Sequence, residues 1–253
     1  MIDYIEHHIV DHCNLKCNGC SHFSSIADKW FEDIENFVRD FEALAEKTNH
    51  YIPVIRLMGG EPLLHPNVCG FLTNTRRFFP NSEIQLVTNG LLLKERKEEL
   101  LPVCNEENIK ICVSNYGLGL DLGNLLRGFK LTRVDGKGTL YNISLDLEGA
   151  QDPKEAFGHC DLHIYHWYFF QHGRIYPCCI APNIKYFDKQ FGTNIEDIDE
   201  NISISVKDHS LQEIEDFLNK PISMCRYCNT KKRMATHVPF NITKKDIKEW
   251  TYQ

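Results

Sequence analysis

Three cysteines share one short stretch, Cys13-Asn-Leu-Lys-Cys17-Asn-Gly-Cys20, and so offer three thiolates from a single loop. Thiolate is the soft, anionic ligand favoured by zinc and by iron–sulfur clusters. A cubane of four irons takes four ligands. Three from the protein leave one iron open, and an open metal position is where chemistry happens. Structural zinc takes two Cys pairs, or a Cys pair with a His pair. On that alternative His12 or His22 has to supply the missing donor.

A second set follows. Cys160, then Gly173-x₄-Cys178, then Cys225-x₂-Cys228 provide four more thiolates. Four cysteines close a site fully, whether it holds a cubane or a zinc knuckle. Cys179 directly follows Cys178, and adjacent thiols do not both ligate one cubane without strain, so one of the two is spare. A spare thiol is ordinarily a small buried hydrophobe. Cys69, Cys104 and Cys112 fall in helix or strand interiors and are expected in the core. His159, His163, His166 and His172 form no clean ligand set and read as half-buried, hydrogen-bonded residues, any of which near a cluster can act as a base. Lys231-Lys232-Arg233 reads as solvated charge, or as a contact for a phosphorylated substrate.

The elements that must position these groups alternate. Apolar, β-branched runs at Ile5–Val10, Val54–Met58, Ile84–Thr88 and Ile109–Ser114 predict strands. Between them Trp30–Lys47 places Phe31, Ile34, Phe37, Phe41, Leu44 and Ala45 on one helical face, and Val68–Phe79 and Lys94–Cys104 predict two further helices. Such alternation predicts a parallel sheet with crossover helices, whose ligands gather at the carboxyl ends of the strands. Each notable motif falls there: the cysteine loop, Gly59-Gly60-Glu61-Pro62, Thr88-Asn89-Gly90, and Ser114-Asn115. Beyond about residue 150 the sequence predicts a polar turn at Gln151–His159, a hairpin of Tyr168–Phe170 with Arg174–Tyr176, and a helix near Ser210–Leu218. Residues 229–253 read as an ill-packed tail or a lid.

Composition bounds the rest. The chain has 253 residues, 42% hydrophobic and 25% charged, as expected of an ordinary globular protein. A net charge of −7 argues against nucleic acid as a partner. No apolar run reaches membrane-spanning length. Met1-Ile-Asp-Tyr-Ile-Glu lacks the basic start and apolar core of a signal peptide. Eleven cysteines without an export signal favour metal binding over disulfides, so a cytoplasmic location is expected.

The triplet Cys13, Cys17, Cys20 together with Gly59-Gly60-Glu61 resembles the signature of the radical S-adenosylmethionine (SAM) superfamily. The resemblance implies an α/β fold, a partial (β/α)₆ barrel over residues 1–148, with a [4Fe–4S] cluster on the triplet and SAM on its open iron. Gly59, Gly60 and Glu61 would then hold the SAM ammonium, with Thr88, Asn89 and Ser114 as further polar contacts. Many members carry an aromatic before the third cysteine; here Gly19 stands there, leaving Phe23 or His22 as substitutes. The order of Cys160, Cys178, Cys225 and Cys228 resembles the Twitch module, a shortened SPASM module, over residues 149–230. That implies an auxiliary [4Fe–4S] cluster, with Cys178 rather than Cys179 as ligand and 231–253 as a basic tail. The layout is similar to that of family dehydrogenases acting on cyclitols. It implies dehydrogenation or epimerisation of a small polar alcohol such as a sugar or cyclitol, with the auxiliary cluster as electron acceptor or donor. Cys179 could donate a hydrogen atom, and flavodoxin or ferredoxin could supply electrons. The alternatives are a peptide-modifying maturase and a non-enzymatic electron carrier or zinc-binding module.

Overall fold

The computed structural model describes residues 2–136, 139–141, 143–195, 200–234 and 237–252. Residues 196–199 of the expected module, and 235, 236 and 253 of the expected tail, lie outside them. The chain runs β1 (Tyr4–Val10), α1 (Ile34–Lys47), β2 (Val54–Gly59), α2 (Val68–Phe78), β3 (Glu83–Thr88), α3 (Leu93–Glu106), β4 (Lys110–Ser114), α4 (Leu122–Leu125) and β5 (Thr132–Asp135). Then come β6 (Thr139–Tyr141), α5 (Pro153–Gly158), α6 (Asp161–Ile164), β7 (Tyr168–Gln171), β8 (Arg174–Tyr176), α7 (Ile180–Phe191), β9 (Ile204–Ser205), α8 (Leu211–Leu218), α9 (Thr230–Met234) and β10 (His237–Pro239).

One open sheet of eight strands has the order β5-β4-β3-β2-β1-β7-β8-β9. The strands from β5 through β1 to β7 are parallel, whereas β8 and β9 add antiparallel pairings. This is the open, partial barrel that the resemblance implies, and all four strands expected from the N-terminal half are present. The expected hairpin also forms, but β7 pairs with β1, Ile5 opposite Tyr168. The boundary expected at residue 148 is therefore not a boundary of the sheet, because the exposed edge of β1 is satisfied by a strand from the later segment.

Period-two alternation explains why this sheet carries a site. Ile5, Ile9, Ile55, Leu57, Ile84, Leu86, Ile111 and Val113 point outward into a core completed by Phe37, Phe41 and Leu44 of α1 and Phe71 and Leu72 of α2. The alternate positions Glu6, Arg56, Met58, Val87 and Ser114 line the inner cavity instead. The first turn expected in α1 is extended chain: Phe31 bridges Val10, and the Asp33 side chain accepts the Glu35 and Asn36 amide N–H groups, starting the helix at Ile34. Gln151–His159 is a short helix rather than a turn, because Asp152 caps it and Pro153 begins it. Ser210 and Glu213 form a capping box at α8. Among the described residues no helix is long and apolar enough to cross a membrane.

The tail is packed rather than loose. Its backbone crosses the cysteine loop, with the Thr243 amide donating to the Lys16 carbonyl and the Asn18 amide to that of Asn241, each at 2.9 Å. Trp250 is fully buried, and its Nε1–H donates to the Cys20 carbonyl at 3.0 Å. Apolar burial of one indole thus fixes the strap over the triplet. Trp250→Ala is expected to cost about 3–5 kcal/mol of unfolding free energy in chemical denaturation. The same variant should release iron from the reconstituted N-terminal site to a chelator several-fold faster than wild type.

Candidate functional site

The first cysteine set lies in the loop after β1. Cys13, Cys17 and Cys20 line a cavity of about 370 Å³ at the carboxyl ends of the parallel strands, together with Gly59, Gly60, Thr88, Asn89, Ser114 and Tyr116. Every motif expected at the strand ends therefore meets in one place, except the Glu61 side chain. Glu61 is wholly buried behind the wall, where its carboxylate accepts from the Thr88 hydroxyl (2.7 Å), the Asn89 amide (2.8 Å) and the Leu63 amide (3.0 Å). Burial lifts its carboxyl to about 7 despite those donors. Its present bonds tie the β2 and β3 loops together. Gly60 is there because the chain passes so close that a Cβ would lie 2.2 Å from the His12 carbonyl oxygen.

The donors around the thiols fit a cluster. The amide N–H groups of His22, Ser24 and Ser25 point at Cys20, that of Leu15 lies 3.3 Å from Cys13 Sγ, and the Asn89 side-chain amide lies 3.6 Å from the same sulfur. Hydrogen bonds to sulfur stabilise thiolates and tune a bound cluster. Without iron the thiols are pushed up, Cys13 to about 12, by burial and by neighbouring anions including Glu61 and Cys20. Cys17 rises through burial and then through Cys20 and Cys13. The three face one another closely enough to repel, which is what a shared cation centre relieves.

Zinc fits less well. Tetrahedral zinc at about 2.3 Å from each sulfur would draw its ligands within roughly 4 Å of one another. Among the described residues no three of the cysteines come within 4.8 Å of one another. Of the candidate fourth donors, His12 Nδ1 accepts the Trp30 amide and His22 Nδ1 pairs with His8 Nε2 at 2.8 Å, which leaves the Nε2 of each as the nitrogen that could ligate.

The missing aromatic has a steric reason. Gly19 has φ +57°, and a Cβ there would sit 2.6 Å from the Glu249 carbonyl oxygen of the strap. Phe23 does not substitute: it is fully buried against Phe187 and Trp250. His22 does line the cavity, and so does Tyr116. Tyr116 lies near Cys17 and Cys20; burial first, then those sulfurs, raise its phenol.

The second set also converges. Cys160, Cys178, Cys225 and Cys228 line one small, largely apolar pocket with Phe157, His163 and Arg233. Burial and then Cys228 and Cys160 push Cys178 to about 12, while burial leads the rise of Cys228 to about 11. The first amides of α7, those of Ile180 and Ala181, point at Cys178. The adjacent thiol faces the other way. Cys179 lines a separate cavity of about 90 Å³ with Glu6, Ser21, His22, Leu162, Trp167 and Arg233. Ligand atoms of Glu6, His22 and Cys179 lie within 4.8 Å of one another.

This narrow cavity and the main one are joined by residues common to both: Glu6, Ser21, His22 and Trp167 line the main cavity as well. Sequence reasoning missed Glu6, His8, Arg56, Tyr116 and Arg233. Glu6 accepts from the Tyr4 hydroxyl at 2.6 Å, and burial raises its carboxyl. Arg56 stands opposite it in register and donates to Gln85 at 2.7 Å. Charged residues at corresponding inward positions of two adjacent apolar strands were the available signal.

Comparisons with known proteins agree. A profile described as the radical SAM superfamily matches residues 8–127. A GTP 3',8-cyclase of Trichodesmium erythraeum (strain IMS101) is 32% identical over 133 residues, 51% of this chain and 39% of that protein. The GTP 3',8-cyclase of Alkaliphilus metalliredigens (strain QYMF) is 33% identical over 99 residues, 39% of this chain and 31% of that protein. The matched segments span two-fifths or less of these curated relatives. The crystal structure of BtrN in complex with AdoMet and 2-DOIA superposes with a TM-score of 0.54 at 18% identity, covering 100% of this chain and 98% of that one. That likeness is one of fold. Residues 8–127, just under half of the chain, match the radical SAM superfamily, and a [4Fe–4S] cluster and SAM are the cofactors that this match implies.

Cys13→Ala should therefore lose about four irons per chain relative to wild type after anaerobic reconstitution. It should also abolish the EPR signal that SAM perturbs. Gly60→Ala, which drives a methyl into the cysteine loop, is expected to weaken SAM binding at least tenfold by equilibrium dialysis.

Proposed function

We propose that this enzyme removes a hydrogen atom from a carbon of a small polar alcohol, such as a sugar or cyclitol, and so dehydrogenates or epimerises it. The observation that carries this reading is the run of cavity between the two cysteine sets, with Glu6, Ser21 and His22 common to both parts. A substrate there touches the first set and polar groups such as Glu6, Ser21 and His22, and comes up to Leu162, Ile180 and Arg233, which also line the pocket of the second set. When bound, SAM on the N-terminal cluster supplies hydrogen-atom abstraction, and a cluster on Cys160, Cys178, Cys225 and Cys228 supplies a store for one electron.

The protein's own residues do the rest. Gly59 and Gly60, Thr88, Asn89 and Ser114 form the SAM side of the cavity. Arg56, fixed by Gln85, and Ser21 orient hydroxyl groups. Glu6 is the group placed to accept a hydroxyl proton, its proton affinity raised by burial. Leu162, Ile180 and Trp167 wall the narrow part off from water. An external one-electron donor such as flavodoxin or ferredoxin fits the chemistry.

Cys179 favours the epimerising branch as a second reading. Its thiol faces the cavity, not the second cysteine set. Burial, then Glu6 and Cys178, keep it protonated, as a hydrogen-atom donor must be. The curated cyclases raise GTP as another substrate, but the matched segments cover too little of them to carry it.

The test is anaerobic incubation with SAM, a reductant and carbon-deuterated polyols and sugars, reading deuterium in 5′-deoxyadenosine. Transfer from a C–D bond beside a hydroxyl is expected, with GTP and peptides giving none. Transfer only from GTP or only from a peptide overturns the reading. Cys179→Ala should stop epimerisation while SAM cleavage continues; a ketone product unaffected by this change points to dehydrogenation.

A further inference from the structure

Lys231 and Lys232 are exposed, and Lys231 pairs with Glu155, but the third residue of that basic run is not solvated. Arg233 is 3% exposed. Its Nη2 donates to Cys160 Sγ at 2.8 Å. Its Nε–H is buried with no acceptor among the described residues, and no carboxylate there pairs with it. The side chain lines both the pocket of the second cysteine set and the narrow cavity holding Glu6, His22 and Cys179. A guanidinium stays charged in proteins. Burying it without a counter-ion is unfavourable, so its partner must be the negative charge that forms on the neighbouring sulfurs.

We propose that Arg233 is the counter-charge of the auxiliary cluster on Cys160, Cys178, Cys225 and Cys228 and raises its reduction potential. The inference rests on the reading of those four cysteines as a cluster site. Reduction by one electron adds one negative charge to an already anionic centre. A fixed cation in a low-dielectric wall favours the more negative state most, so the reduced form gains. The buried Nε–H, which has no partner among the described residues, leaves the guanidinium a further donor to offer beside these sulfurs. Arg233 thus biases the second centre toward taking up an electron.

Wild type, Arg233→Lys, Arg233→Gln and the surface control Lys231→Gln are to be reconstituted anaerobically as full chains and their iron counted. With SAM present, a potentiometric titration then follows the EPR signal that SAM does not perturb. The expected result is about eight irons in each, a more negative midpoint in Arg233→Gln, and midpoints near wild type in Arg233→Lys and Lys231→Gln. An unchanged midpoint in Arg233→Gln overturns the proposal, as does an equal shift in Lys231→Gln. If Arg233→Gln sheds the second cluster, Arg233→Lys decides: retention upholds the role of charge, and loss in both variants overturns it. A wild type with about four irons and only the SAM-perturbed signal overturns the auxiliary-cluster reading itself, and this inference with it.

Discussion

Crowding of buried cysteine sulfurs governs this structure. Burial holds the protons of Cys13, Cys17 and Cys20 on more tightly, charge on neighbouring cysteines adding to this at Cys13 and Cys17, and all three sulfurs come from one loop. It is held on two sides: the Gly60 amide donates to Val10 and the Glu61 amide to His12, while the strap from Asn241 to Trp250 crosses its outer face. Small side chains are required where backbone meets backbone. Gly60 serves the first contact and Gly19 the second. The absence of an aromatic before the third cysteine follows from the strap, and Tyr116, supplied from the end of β4, brings a ring to the same neighbourhood.

The same constraint recurs at the second set with a different solution. There four sulfurs share a pocket, and their repulsion is met by the α7 amides at Cys178 and by the Arg233 guanidinium at Cys160. Helix geometry also separates the neighbouring cysteines. Cys178 precedes the first turn of α7 and faces the pocket, while Cys179 caps the helix and faces Glu6 and His22. One step along the chain thus changes a thiol's surroundings from other sulfurs to a narrow cavity where Glu6 and His22 stand among apolar side chains.

Much of this was legible in the sequence because its signals are local. Strand ends, glycine pairs and cysteine spacing each depend on a few consecutive residues, and they placed the triplet, Gly59, Gly60, Thr88, Asn89 and Ser114 at one end of a parallel sheet. The chemistry of the inner face was not legible. β1 is buried along its whole length, so the run Tyr4–Val10 does not reveal that Glu6 faces a cavity while Ile5 faces α1. The pairing of β7 with β1, the burial of Trp250 and the inward turn of Arg233 are long-range. Each depends on residues far apart in the chain, and none has a local signature. Glu61 was legible as a motif, but its engagement with Thr88 and Asn89 was not.

What the inner face adds is an ordered gradient of chemistry between the two sets. The main cavity carries Glu6 and Arg56 side by side on β1 and β2, the narrow cavity carries Glu6 opposite Cys179, and Arg233 stands at the far wall. Glu6 alone among these is common to both cavities, and burial raises its proton affinity although the Tyr4 hydroxyl and Arg56 act the other way. The buried guanidinium of Arg233 lies against the Cys160 sulfur. On the proposed function, a substrate lying between Glu6 and the second cysteine set would meet a proton acceptor and an electron acceptor at different points along its length, which is the separation that oxidising an alcohol carbon requires.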